Sequence, residues 1–122
     1  MPFTYSVMPP TKPIVYYNPP AARGVRSSYT LDKPRSLLLL AELIKRKMVR
    51  LPSGDRYLND HLKEFLNVYE ESIENSRGSP TRLVKRLSRR TDDIVHAVNF
   101  AVMGLYHASQ KWPEVTKAFI TE

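Results

Sequence analysis

Arg90-Thr91-Asp92-Asp93-Ile94-Val95-His96-Ala97-Val98-Asn99-Phe100-Ala101 places two adjacent carboxylates at the start of an apolar segment. Just before it, Arg77, Arg82, Lys85, Arg86, Arg89 and Arg90 occur with no acid among them. Ile94, Val98, Ala101, Leu105 and Ala108 recur at helical spacing and predict a buried seam on a helix from Asp92 to Ser109. The same phase puts Asp92 on a wetter line with His96 and Asn99, and Asp93 at the margin beside Ala97 and Phe100. Two roles for the pair stand side by side. Thr91 can cap the helix, with Asp92 and Asp93 complementing its positive end by up to about 1 kcal/mol. Alternatively, a helix held rigid by its seam presents carboxylate oxygens at a fixed place, as a hard cation such as Mg²⁺ requires.

Working outward, the basic run before the pair is either a solvated face or a stripe that tracks phosphates. Ser79-Pro80 with Leu83, Val84 and Leu87 fits a short helix by periodicity alone. Further upstream, Leu58, Leu62, Phe65, Leu66, Tyr69 and Ile73 predict a helix from Leu58 to Asn75. Lys63, Glu64, Glu70, Glu71 and Glu74 lie on its opposite side, and His61 is read as a solvated surface histidine. Met48-Val49-Arg50-Leu51 reads as a short strand halted by Pro52. Another helix is expected after the cap Asp32, with Pro34 in its first turn and a buried set of Leu37, Leu40, Ala41 and Ile44, ending near Lys47. Lys45, Arg46 and Lys47 suit the negative end of its dipole.

The organisation changes near residue 31. Residues 1 to 30 hold six of the ten prolines and read as extended, with one short strand at Ile14-Val15-Tyr16-Tyr17 and a basic loop from Ala21 to Ser28. A lone strand needs a partner along its edge. At the other end, Gly104 inside the last long helix costs about 1 kcal/mol relative to alanine and points to close packing there. Lys111-Trp112-Pro113 ends the regular pattern, with a short terminal helix expected over Glu114 to Glu122. Trp112, Tyr16, Tyr17 and Tyr29 are read as packing residues, because they lack the alternating basic and aromatic arrangement of a stacking surface.

A length of 122 residues bounds the chain to one domain at most. Nineteen Lys and Arg against twelve acids give +7, which favours phosphate backbones, acidic proteins or membrane surfaces as partners. The absence of cysteine excludes disulfides and thiolate metal sites. No segment has the roughly 18 uninterrupted apolar residues of a membrane span, and the first residues lack the basic-then-apolar order of a signal peptide. The four glycines, Gly24, Gly54, Gly78 and Gly104, form no G-x-x-x-x-G-K-[ST] phosphate loop, so ATP-driven translocation by that device is excluded.

Asp92-Asp93-Ile94-Val95-His96-Ala97-Val98-Asn99-Phe100-Ala101 resembles the last acidic motif in the nuclease domain of tailed-phage large terminases, the DNA-packaging motors. Tyr29-Thr30-Leu31-Asp32-Lys33-Pro34-Arg35-Ser36-Leu37-Leu38-Leu39-Leu40, with Ile44 to Pro52, is similar to the helix and short strand that precede that motif in the family. The resemblance covers roughly residues 13 to 110. It implies an α+β architecture: a partial ribonuclease-H-like nuclease fold with three main helices, short strands and an incomplete sheet. By that reading residues 1–30 are a Pro-rich extended segment, 31–110 the C-terminal part of the nuclease domain and 111–122 a tail, with a strand rather than a helix over 80–88.

The resemblance further implies that Asp92 and Asp93 are catalytic and bind Mg²⁺ or Mn²⁺, while Arg82, Lys85, Arg86, Arg89 and Arg90 contact DNA. Double-stranded DNA, the remaining part of the terminase large subunit and the portal or small terminase are the partners it implies, in the host cytoplasm and with no membrane. The family draws further acids from two earlier strands, whereas residues 1–31 contain no Asp or Glu. Two-metal cleavage holds ions about 3.5–4 Å apart among several shared ligands, so the chain alone is expected to be a weak nuclease or none. The alternative from a different class is a non-catalytic basic module that binds DNA or an acidic protein.

Overall fold

The computed structural model describes residues 3–9, 11–50, 56–76 and 87–119. They form a mixed α/β structure: strands β1 (Phe3–Ser6), β2 (Val15–Asn18) and β3 (Ser28–Asp32), then helices α1 (Lys33–Lys45), α2 (Arg56–Ser76) and α3 (Arg89–Ser109), then a short 3-10 helix (Glu114–Phe119). The sheet has the order β1-β3-β2, with β1 parallel and β2 antiparallel to the central β3.

Register explains which face of the sheet is buried. Phe3, Tyr29 and Tyr17 lie in one cross-strand row, and Tyr5, Leu31 and Val15 in the next. Because alternate strand residues share a face, all six side chains point the same way, and Phe3, Tyr5 and Tyr29 among them meet α3. Phe3 stacks on Phe100 with ring centroids 5.4 Å apart, Tyr5 lies over Phe100 at 4.8 Å, and Tyr29 meets the His107 edge at 5.5 Å. The other face carries Thr4, Ser6, Tyr16 and Thr30, with Asn18 Nδ2 donating to Thr30 Oγ1 at 2.8 Å. β1 was not anticipated. Its four residues acquire strand geometry by pairing with residues 29 to 32, which no local pattern announces.

Helix α1 begins as the sequence predicts. Asp32 caps it, accepting from the Arg35 backbone N–H, and Pro34 occupies the first turn, where its missing N–H costs nothing. The buried Asp32 carboxylate also accepts from Met8 N–H at 3.2 Å and Arg35 Nε at 2.9 Å. The Arg35 guanidinium donates onward to the carbonyls of Pro9, Pro13 and Phe119. One ion pair therefore joins the start of α1 to the β1–β2 connection and to the C-terminal 3-10 helix. The buried face of α1 is wider than the expected stripe: Leu39 and Leu43 are buried with Leu37, Leu40 and Ala41, while Ile44 is half-buried. α1 packs against both α2 and α3, so it has two faces to fill.

Helix α2 buries Leu62, Phe65 and Tyr69 as its periodicity requires; the Ile73 and Glu74 side chains lie outside the described residues. Residues 48–50 are not a strand. Helix α1 instead closes with Lys47 in a left-handed conformation (φ 58°), and Met48 N–H donates to Leu43 O. Leu51 and the expected short element over 80–86 lie outside the described residues; Leu87 is buried and Ser88 is the N-cap of α3.

The phase of α3 differs from the expected seam. Thr91, Val95, Asn99 and Met103 form the buried line, whereas Ala101 and Ala108 are exposed and Leu105 is 67% exposed. Ile94 and Val98 are half-buried. Small alanines are tolerated on either face and carry little phase information. Two of these four buried positions, Thr91 and Asn99, are polar, and hydrophobic periodicity reads them as wet.

Candidate functional site

Helix α3 starts one turn earlier than Asp92, with Ser88 as its cap; Ser88 Oγ accepts from Thr91 N–H. Thr91 is thus not the cap. Its side chain sits in the α2–α3 interface, where it donates to Glu64 Oε2 at 2.7 Å and accepts from Ser88 Oγ at 2.8 Å. Because the Thr91 proton goes to Glu64, His61 Nδ1, 2.9 Å from Thr91 Oγ1, must be the donor in that contact. His61 is accordingly not a free surface histidine, and Glu64 does not simply face solvent. Hydrogen bonds from Thr91 and then from the Ser88 backbone hold the Glu64 carboxyl below its ordinary pKa.

A second polar chain starts two turns further along the same buried line and runs toward β1. Asn99, fully buried at 0% exposure, donates through Nδ2 to the Tyr5 hydroxyl and to Ser36 Oγ, both at 3.0 Å. Ser36 Oγ passes its own proton to Lys33 O at 3.3 Å. The Tyr5 hydroxyl, accepting from Asn99, donates to His96 Nδ1 at 2.8 Å. A neutral His96 then carries its proton on Nε2, which lies 2.8 Å from Asp92 Oδ1. That Asp92 oxygen is buried and has no hydrogen-bond partner, so its approach to the ring is a close polar contact and not a hydrogen bond. Burial, foremost, pushes the Tyr5 phenol up to about 12; the Asn99 hydrogen bond opposes this and the Asp92 charge adds to it. Asp92 is therefore a half-buried carboxylate at the positive end of a helix, set beside a His96 ring that a phenol on another element holds.

Asp93 is exposed, since adjacent residues on a helix diverge. The two carboxylates share a turn without sharing a direction, and Asp92 alone points into a structured environment. Among the described residues no group of three or more His, Asp or Glu is placed to hold a metal ion. The Asp92 oxygens suit a hard divalent cation in kind, and further ligands would have to come from outside the described residues. Arg90 is exposed two residues before Asp92; Arg82, Lys85, Arg86 and the Arg89 side chain lie outside the described residues. Sequence reasoning missed Tyr5 and Ser36, which belong to the site through contacts across 91 and 63 residues. No described helix is long and apolar enough to cross a membrane.

Neither family models, curated proteins nor solved structures match this chain.

Proposed function

We propose that this chain is the C-terminal part of a metal-dependent double-strand DNA nuclease of ribonuclease-H-like fold, of the kind found in tailed-phage large terminases. Asp92 is the principal carboxylate it contributes to a Mg²⁺ or Mn²⁺ site, and Asp93 is the second. When bound, such cations stabilise charge on the phosphodiester being cleaved. This chain's own residues set the Asp92 carboxylate beside a His96 ring held by Tyr5, while Arg82, Lys85, Arg86, Arg89 and Arg90 bind the phosphate backbone. The remaining carboxylates come from the rest of the terminase large subunit; the portal or small terminase completes the assembly in the host cytoplasm.

One observation carries the proposal. Ser88 caps α3, so neither Asp92 nor Asp93 is consumed in capping, and Asp92 Oδ1 is nevertheless buried 2.8 Å from His96 Nε2, on a ring whose Nδ1 is held by Tyr5. A carboxylate that served only the helix dipole would need no such support.

The test is binding of duplex DNA with and without Mn²⁺. Affinity is expected to rise with Mn²⁺, to fall back on chelation, and to lose its Mn²⁺ response in Asp92→Asn while keeping a steep salt dependence. Affinity indifferent to the chelator would leave a basic DNA-binding module without metal chemistry, and the nuclease proposal would fail.

A further inference from the structure

Helix α3 has an apolar outer side as well as a buried inner one. Thr91, Val95, Asn99 and Met103 face the interior, while Ala97, Ala101 and Ala108 are exposed and Leu105 is 67% exposed. Steps of three and four residues place Ala97, Ala101, Leu105 and Ala108 on one outward arc. Nine residues separate Asp92 from Ala101, about two and a half turns, so this arc lies opposite the Asp92 site. A surface helix ordinarily turns charged or polar residues to solvent. Here residues 94 to 110 contain no Lys, Arg, Asp or Glu.

The outer side is shaped as well as apolar. A hollow of about 320 Å³ opens there, and its walls include Ala101, Gly104, Leu105 and Ala108 of α3 with Phe3 and Tyr29 of the sheet. The four α3 positions stand at i, i+3, i+4 and i+7, the spacing of a hole that receives one side chain from a facing helix. Glycine at 104 and alanine at 101 and 108 keep the hole open. Leu105 is itself a matching knob: among the described residues it is the one large aliphatic side chain of a helix that stands exposed. Because knob and hole share the same turns of one helix, a two-fold axis beside them seats each Leu105 in the hole of the other copy.

Charge favours a second copy over a charged partner. This stretch of α3 brings none of the chain's net +7 to the contact, so two copies meet there without repulsion from it. An acidic or basic segment would find no counter-charge on it, and interface cores are depleted in charged residues.

We propose that the outer side of α3 is a homodimer interface in which Leu105 of each copy fills the hollow beside Gly104 of the other. The interface does not depend on the nuclease proposal. Two turns of helix and a shallow hollow place it at the small end of specific contacts, below about 1,200 Å² in total, so a dissociation constant on the order of 10 µM is expected.

Sedimentation equilibrium of the full chain tests this. The mass should rise with concentration from 14.1 kDa toward twice that value, and should do so at about 0.5 M salt, where bridging by nucleic acid is suppressed. Leu105→Glu should weaken association about tenfold or more with an unchanged circular dichroism spectrum, since the side chain is exposed in a single copy. Ala101→Leu makes the same surface more apolar but fills the hollow, and it too should weaken association about tenfold or more. That variant separates a fitted contact from general adhesion, and it decides the matter if Leu105→Glu misfolds. A chain that stays monomeric at about 200 µM, a dimer indifferent to a folded Leu105→Glu, or tighter association in Ala101→Leu would each overturn the proposal.

Discussion

The Tyr5 hydroxyl lies 2.8 Å from His96 Nδ1, joining the first strand to the last long helix across 91 residues of sequence. This contact holds the imidazole beside Asp92 and ties that part of the helix to strand β1. Asn99, which donates to the same hydroxyl, keeps the arrangement in register.

Replacing Asn99 by alanine should therefore cost more than its size suggests. It leaves the Tyr5 and Ser36 hydroxyls without a donor in a buried setting, a loss of about 1–3 kcal/mol. Urea unfolding should show a lower midpoint with an unchanged slope. A midpoint equal to that of the wild type would mean the chain is not stabilising.

At Gly104, a Cβ would sit 3.0 Å from Phe3 Cζ. The Phe3 ring is pinned between Tyr29 and Phe100 at centroid distances of 5.3 and 5.4 Å, so it cannot swing aside freely. Gly104→Ala should therefore destabilise the protein, although alanine is favoured over glycine within a helix by about 1 kcal/mol. In a Phe3→Ala background the same change should become stabilising. A double-mutant cycle of unfolding free energies measures this reversal, and additive effects would contradict the packing account.

Asp32→Ala should be among the most damaging single changes. It removes the α1 cap and leaves the largely buried Arg35 guanidinium without its carboxylate, costing about 3 kcal/mol. The loss should be visible as a large drop in thermal midpoint, and a drop no greater than that of a surface substitution would refute the ion pair's role.

Two titrations set the pH dependence. The folded pKa of Glu64 lies below its ordinary 4.5 because Thr91 and then Ser88 hydrogen-bond the charged form. Its contribution is complete above the unfolded value and is lost as pH falls through the folded one, so Glu64→Gln should flatten the acid limb of stability. Tyr5 and Tyr69 are raised from 10.0 to about 12, each chiefly by burial. For them the neutral form is the stable one: their contribution is complete below pH 10.0 and is lost as pH rises toward about 12. Stability curves of Tyr5→Phe and Tyr69→Phe should be flatter over that alkaline window, and curves parallel to the wild type would contradict the assignment.

Much of this architecture was legible where signals were local. Asp32 and Pro34 marked the start of α1, the Asn18-Pro19-Pro20 sequence ended β2, and Leu62, Phe65 and Tyr69 showed the inner face of α2. The phase of α3 was not legible, because Thr91 and Asn99 are buried by hydrogen bonds to residues distant in sequence, and Ala101 and Ala108 look apolar yet need no burial. The acid pair was visible at once. That Asp92 turns inward to His96 while Asp93 faces out required the true helix start at Arg89 and the arrival of Tyr5 from β1.

Paramagnetic broadening of backbone amide signals by Mn²⁺ tests the central claim about Asp92 most directly. Low concentrations of Mn²⁺ should selectively broaden the amides from Asp92 to His96, and Asp92→Asn should abolish the effect without altering the fold. Broadening spread evenly over the acidic surface, or unchanged in Asp92→Asn, would show that this carboxylate does not hold a metal.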